Sequence, residues 1–189
     1  LEAAITPKTK AVIPVSLFGN PLDYDRLNTI KNQYGIFIIE DAACALGAEF
    51  KNVKTGNHAD ISVFSHHPRK FITTGEGGTI TTNNDEWAGW LESYKHFGMG
   101  VSPSREGSVF ARIGTNYKLS NVLASIGLVQ MQHISGLLAR RIELSENYQS
   151  LLKNVTGIEI PETTPGGMHS YQSFCVLVKD RDRIMQTMR

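Results

Sequence analysis

The sequence predicts an α/β fold: a parallel-rich sheet flanked by helices, with a long helix leading into a smaller α+β layer towards the C-terminal end. Three observations predict it. Apolar, β-branched runs at 10–17 and 36–39 enclose an amphipathic stretch, the strand, helix, strand order of a right-handed parallel crossover. Two more strand-like segments, Ala59 to Ser65 and Gly78 to Thr82, flank a glycine-rich turn. From Leu119 to Val155 the pattern is helical throughout.

The elements follow in order. Lys10 to Leu17 ends at Phe18-Gly19, which suits a buried strand and a turn. Asn20 and Pro21 are the expected N-cap and first-turn residues of the next helix, and Asp23 and Asp25 put negative charge at its positive end. Leu27, Ile30 and Tyr34 form its apolar face, and Gly35 is its C-terminal stop. Gly35 to Glu40 predicts a second, fully buried strand and leaves Asp41 at its carboxyl end. Between Asp85 and Phe97, apolar residues at 87, 90, 91 and 94 make a helical stripe that holds both tryptophans, the pattern of a core face. Residues 99–115, rich in Gly, Ser and Pro, predict a surface loop. The helical run over 119–155 is expected to bend near Ser135-Gly136, with Arg140, Arg141, Glu143 and Glu146 on a solvated face. Ser170 to Val178 alternates as a strand of a separate, smaller layer. The chain starts without Met and stops within an amphipathic stretch, so it is expected to be part of something longer.

Composition narrows the function. In 189 residues, 19 Lys+Arg against 18 Asp+Glu give a net charge of +1, and 41% are hydrophobic and 20% charged. That balance excludes a disordered tail and a polybasic nucleic-acid binder. The longest apolar stretch, Ala11 to Gly19, is broken by Pro14 and Ser16 and falls short of the roughly 20 apolar residues of a membrane helix. The first residues lack the basic start and apolar centre of a secretory signal, and Cys44 and Cys175 make no metal or disulfide pattern. A cytoplasmic protein without a membrane or nucleic-acid partner is expected.

Open α/β sheets bind ligands outside the carboxyl ends of their strands, which is where Asp41 and the segment from Ser65 to Lys70 fall. Gly75-Glu76-Gly77-Gly78 is no Walker loop, because no Lys-Ser or Lys-Thr follows, and no G-x-G-x-x-G follows a strand. His66 and His67 would point to opposite faces, His58 and Asp60 complete no ligand spacing, and no metal is expected. No G-x-S-x-G elbow exposes a nucleophilic serine. What remains is a carboxylate at one strand end and a lysine that trails a serine and precedes a glycine turn. That order fits pyridoxal 5'-phosphate. A buried Asp keeps the pyridine nitrogen protonated, a Lys holds the aldehyde as a Schiff base, and hydroxyl and amide groups take the phosphate.

Five fragments carry a resemblance. Val-Ile-Pro-Val-Ser-Leu-Phe-Gly at 12–19, Ile-Glu-Asp-Ala-Ala-Cys-Ala-Leu-Gly-Ala at 39–48, Phe-Ser-His-His-Pro-Arg-Lys at 64–70, Thr-Thr-Gly-Glu-Gly-Gly at 73–78 and Gly-Thr-Asn-Tyr-Lys-Leu-Ser at 114–120 resemble the DegT-type sugar aminotransferases. They occur in the family's order across nearly the whole chain. The resemblance implies the aspartate-aminotransferase-like fold type I, with residues 1–118 in a large PLP-binding α/β domain, 119–155 a long connecting helix and 156–189 the start of a small C-terminal domain.

It also implies roles. Lys70 matches the Schiff-base lysine, Asp41 the partner of the pyridinium nitrogen, Ala43 the residue under the ring and Ser65 a phosphate-binding hydroxyl. Asn116 matches a residue that reaches the cofactor phosphate of the neighbouring subunit, which implies a homodimer with shared sites. Cys44 stands where a Gln that contacts the ring hydroxyl is common, Leu46 where a His is common, and His66 where an aromatic usually sits. The family's amino-terminal phosphate and ring-stacking residues, and the last part of its small domain, have no counterpart in the sequence. The implied reaction moves an amino group from an amino acid, glutamate first among donors, to a keto sugar carried on a nucleotide. Dehydratase relatives replace the lysine by His, against which Lys70 stands. The alternative is a non-catalytic or regulatory member of the fold that binds PLP or a sugar nucleotide without turnover.

Overall fold

A computed structural model describes residues 1–100, 107 and 109–188. The loop expected over 99–115 lies partly outside them. Four strands form the central sheet: β1 (Ala11–Val12), β2 (Phe37–Asp41), β5 (Ile61–Ser65) and β6 (Gly78–Thr81), in the order β1-β2-β5-β6. β1, β2 and β5 are parallel and β6 is antiparallel to β5. The crossover from β1 to β2 runs through α1 (Tyr24–Tyr34), as the sequence predicts.

Pro14 cuts the first strand short, because a proline has no N–H to give a ladder. Pairing nevertheless resumes beyond it. The Asp41 N–H donates to Pro14 O at 2.9 Å and the Ser16 N–H to Asp41 O at 3.0 Å. The expected cap of α1 is corrected: Asp23, not Asn20, accepts the Arg26 N–H at 3.1 Å. Asn20 instead links to the C-terminal segment, donating to Glu162 O and accepting the Thr164 N–H. Gly35 ends the helix in the left-handed region, as expected of a glycine there. The buried face is Tyr24, Leu27 and Ile30, whereas Tyr34 is exposed. Tyr24 and Leu27 pack on Ile38, Phe50 and Ala59 to form the core.

The second strand is buried on one face only. Ile38 and Glu40 are buried, whereas Phe37 is 49% exposed and Val63 on β5 39% exposed. Strand alternation makes this a property of a whole sheet face. Along that face Phe37, Ile39 and Ile61 meet Trp87, Trp90 and Leu91 of α2 (Asp85–Lys95) around a groove of about 320 Å³. The tryptophan stripe is therefore a groove wall, not the core face expected: Trp90 is 48% exposed and stacks on Tyr94.

A hairpin of β3 (Glu49–Phe50) and β4 (Val53–Lys54) was not legible in the sequence, and β8 (Gly167–Met168) adds to it from the C-terminal region. The helical run expected over 119–155 is two helices, α3 (Asn121–Gln132) and α4 (Ile134–Leu152), bent by 60° at His133, slightly before the expected bend. Among the described residues no single helix is long and apolar enough to cross a membrane. Arg140 pairs with Glu143 on the surface as expected, but Arg141 turns inward. It donates to Tyr171 O and Gln172 O, and its burial lowers its pKa. The strand expected over 170–178 shrinks to β9 (Leu177–Val178), paired with β7 (Ile158–Glu159), and α5 (Arg181–Thr187) follows.

Candidate active site

Asp41 pairs with Val63 across β2 and β5, so alternation sets Asp41 and Ser65 on one sheet face and Glu40, Ser62 and Phe64 on the other. Asp41 Oδ1 accepts the Ala43 N–H at 3.0 Å, an Asx turn that bends the chain at the strand end. Ala42, Ala45 and Ala48 are fully buried beneath this turn, their small side chains letting it lie tight on the sheet. Cys44 is carried on its outer side, and its Sγ is 3.0 Å from Lys70 Nζ. Ser65 ends β5, where its Oγ accepts the His67 N–H at 3.3 Å; the Lys70 N–H then donates to His67 O at 2.9 Å. Asp41, Ala43, Cys44, Ser65 and Lys70 thus meet at the carboxyl ends of two parallel strands.

The other predicted residues lie elsewhere. Asn116 bridges to His96 and accepts from Lys118 Nζ at 2.6 Å; no hydrogen bond among the described residues joins it to the Lys70 group. Leu46 and His66 line a cavity of about 460 Å³ beneath α3 rather than the Lys70 turn. His66 Nε2 lies 2.7 Å from Thr79 Oγ1, its Nδ1 is buried without a partner, and burial lowers its pKa. No cluster of His, Cys, Asp or Glu among the described residues could hold a metal ion.

Sequence reasoning missed Glu40. It is fully buried and accepts from three hydroxyls, Ser16 in the turn after β1 at 2.5 Å, Tyr24 on α1 at 2.5 Å and Ser62 on β5 at 2.8 Å. Burial and the facing Glu40 carboxylate push the Tyr24 hydroxyl up in pKa. A signal was present: a Glu inside a strand expected to be buried must find donors, because an unpaired buried carboxylate is costly. Ser16 ties the network to the site, since its N–H holds Asp41 O while its hydroxyl holds Glu40.

The donor set suits pyridoxal phosphate. A carboxylate, an amine and a hydroxyl stand on one sheet edge, with the small, half-buried Ala43 in the turn between them, and Asp41 and Ser65 share a face. Comparison with known proteins agrees. Residues 1–189 match the model of the DegT/DnrJ/EryC1/StrS aminotransferase family. The chain belongs to that family. It is 35% identical over 192 residues to GDP-perosamine synthase of Caulobacter vibrioides, covering 98% of this chain and 51% of the relative. With dTDP-4-amino-4,6-dideoxy-D-glucose transaminase of Shigella dysenteriae it shares 35% over 179 residues, 95% of this chain and 47% of the relative. Among solved structures, DesV of S. venezuelae in complex with a ketimine intermediate superposes with a TM-score of 0.90 at 31% identity, covering 99% of this chain and 49% of that one. The family's aminotransferase fold is therefore the fold of this chain, as expected. The chain spans about half the length of the curated relatives it matches.

Proposed function

We propose that the protein carrying this chain is a pyridoxal-phosphate-dependent transaminase. It moves an amino group from an amino acid, glutamate foremost, to a keto sugar linked to a nucleotide. The observation that carries the reading is the meeting of Asp41, Ser65 and Lys70 on one strand edge in a chain of an aminotransferase family. Nucleotide-sugar substrates follow from the relatives, whose names specify GDP- and dTDP-linked sugars. When bound, pyridoxal phosphate supplies an aldehyde and an electron sink. Asp41 keeps a proton on the pyridine nitrogen. Ser65 Oγ donates to the phosphate, and Ala43 leaves space beneath the ring. Lys70 Nζ would hold the aldehyde at rest and, once the donor's amine has displaced it, would act as a free amine that moves the proton from the donor's α-carbon. Asn116 serves the partner subunit's site in a cytoplasmic homodimer.

Borohydride reduction of the full-length protein in the presence of the cofactor, followed by peptide mapping, tests the assignment. A pyridoxyl group on Lys70 is expected, and a label on Lys95 or Lys118 instead would overturn it. Lys70→Ala should lose turnover yet keep non-covalent cofactor binding. A non-catalytic member would show no bleaching of the cofactor colour on adding donor amine.

A further inference from the structure

The loop that carries Lys70 is held by two glutamine side chains from distant parts of the chain. Gln172 Oε1 accepts the Phe71 N–H at 3.3 Å while its Nε2 donates to Arg69 O at 2.9 Å, so one amide group spans Lys70 much as a neighbouring strand would. Gln130 on α3 does the same at Thr73, accepting its N–H at 3.1 Å and donating to its carbonyl at 2.6 Å. Each glutamine lies near a glycine at which the chain makes a close approach. A Cβ on Gly127, one turn before Gln130, would meet Thr74 Cγ2 at 2.9 Å. One on Gly19, whose φ is +101°, would meet Ser170 Oγ at 2.5 Å, two residues before Gln172. Arg141 backs the arrangement. Its Nη1 donates to Tyr171 O at 2.8 Å and Gln172 O at 3.2 Å, and its guanidinium lies 4.8 Å from the centre of the Phe71 ring.

Between β5 and β6 the chain has no regular ladder of its own to fix its path. A lysine amine at the end of a flexible stem is only as well placed as the backbone that carries it. Bidentate amide pairs fix both the position and the direction of that backbone. We propose that Gln172 and Gln130 are positioning residues for Lys70, clamping its loop on both sides so that the amine stays over the Asp41–Cys44 turn. The proposal rests on Lys70 being the cofactor lysine. It assigns a task in the reaction to two residues far in sequence from the strand ends.

The test uses the full-length protein with Gln172→Met and Gln130→Met, which keep side-chain length and remove both hydrogen bonds. Gln172→Glu keeps the acceptor for Phe71 and loses the donor to Arg69. Amide hydrogen exchange is read without cofactor. In Gln172→Met the Phe71 amide should exchange about tenfold faster with Thr73 little changed, and Gln130→Met should show the reverse. In the loaded enzyme each Met variant should lower kcat by about tenfold or more while KM for the donor stays within about twofold, the split expected when the reacting amine is displaced and the substrate site is not. The rate of borohydride trapping at Lys70, followed against pH, should shift with it. Gln172→Glu should restore Phe71 protection and only part of kcat, and it carries the comparison if Gln172→Met does not fold. Unchanged exchange at Phe71 and Thr73 would overturn the clamp. Faster exchange with unchanged kcat and trapping profile would overturn its role in positioning. A wild-type protein that takes no label on Lys70 would instead overturn the transaminase reading, and the exchange pattern would then decide the clamp alone.

Discussion

Asp41 and Glu40 are consecutive carboxylates with opposite surroundings. Glu40 points into the core and spends its lone pairs on three hydroxyls, whereas Asp41 points to the open face and keeps one oxygen for the turn at Ala43. Only Asp41 is therefore placed to meet a ligand. Asp41→Asn retains an oxygen for the Ala43 N–H, so the turn should survive while the charge is lost. Turnover by the full-length protein should drop by about three orders of magnitude, about 4 kcal/mol at 1.36 kcal/mol per tenfold. Steady-state rates of the Asn variant within about tenfold of wild type would refute the role assigned to Asp41.

At the scale of the element, the segment from β8 to Ser173 matters most, since it closes the hairpin, reaches the Gly19 turn and ends at the loop of Lys70. His169 fastens it. Its Nδ1 accepts the Tyr171 N–H at 2.8 Å, its ring stacks on that of Tyr171 at 4.0 Å, and burial lowers its pKa to about 4. The unfolded chain protonates the same ring near the usual value of about 6.5. Between those values the unfolded state binds the extra proton, so stability is complete above about 6.5 and declines as pH falls towards about 4. Urea unfolding should show the midpoint falling over that window. His169→Gln should flatten the decline by about 1 kcal/mol, a figure reduced for the ring's partial exposure. An equally steep decline in the variant would assign the effect to other groups, of which His66, also lowered by burial, is the first.

At the scale of the whole molecule, the central sheet is covered on one side by α1, while on the side that carries Asp41 and Ser65 α2 covers only the end at Phe37, Ile39 and Ile61. Val15, Phe37 and Val63 are exposed there, and so are Val122, Leu128 and Val129 on α3. Apolar surface of this kind is normally covered by another part of the protein or by a partner. The 189-residue chain by itself should hold its sheet and helices but bind pyridoxal phosphate weakly and associate with other copies. Charge-assisted hydrogen bonds at about 1.5 to 3 kcal/mol each are missing when only one side of a phosphate site is present. Titration with cofactor, with sedimentation of the same sample, checks both expectations. A stoichiometric yellow complex of submicromolar affinity would show that this half of the family's length suffices.

Local chemistry alone determined the parallel crossover from β1 to β2, the glycine stop of α1, the helix that starts at Asp85 and the position of Asp41 and Ser65 at strand ends, because each depends on neighbours within a few residues. The motif order also led to the family. Tertiary structure decided what local pattern could not. Periodicity shows that Trp87 and Trp90 share a helix face, but whether that face is core or groove depends on what lies across it. Arg141 has the sequence surroundings of a surface charge, and its inward turn follows from the carbonyls of Tyr171 and Gln172 arriving beside it. Glu40, Gln130 and Gln172 owe their settings to partners on other elements, and a hydrogen bond between residues 101 apart in sequence leaves no trace in either residue's neighbourhood. Long-range pairing is a property of the packed chain, which is why the strand ends could be foretold and the groups that hold Lys70 between them could not.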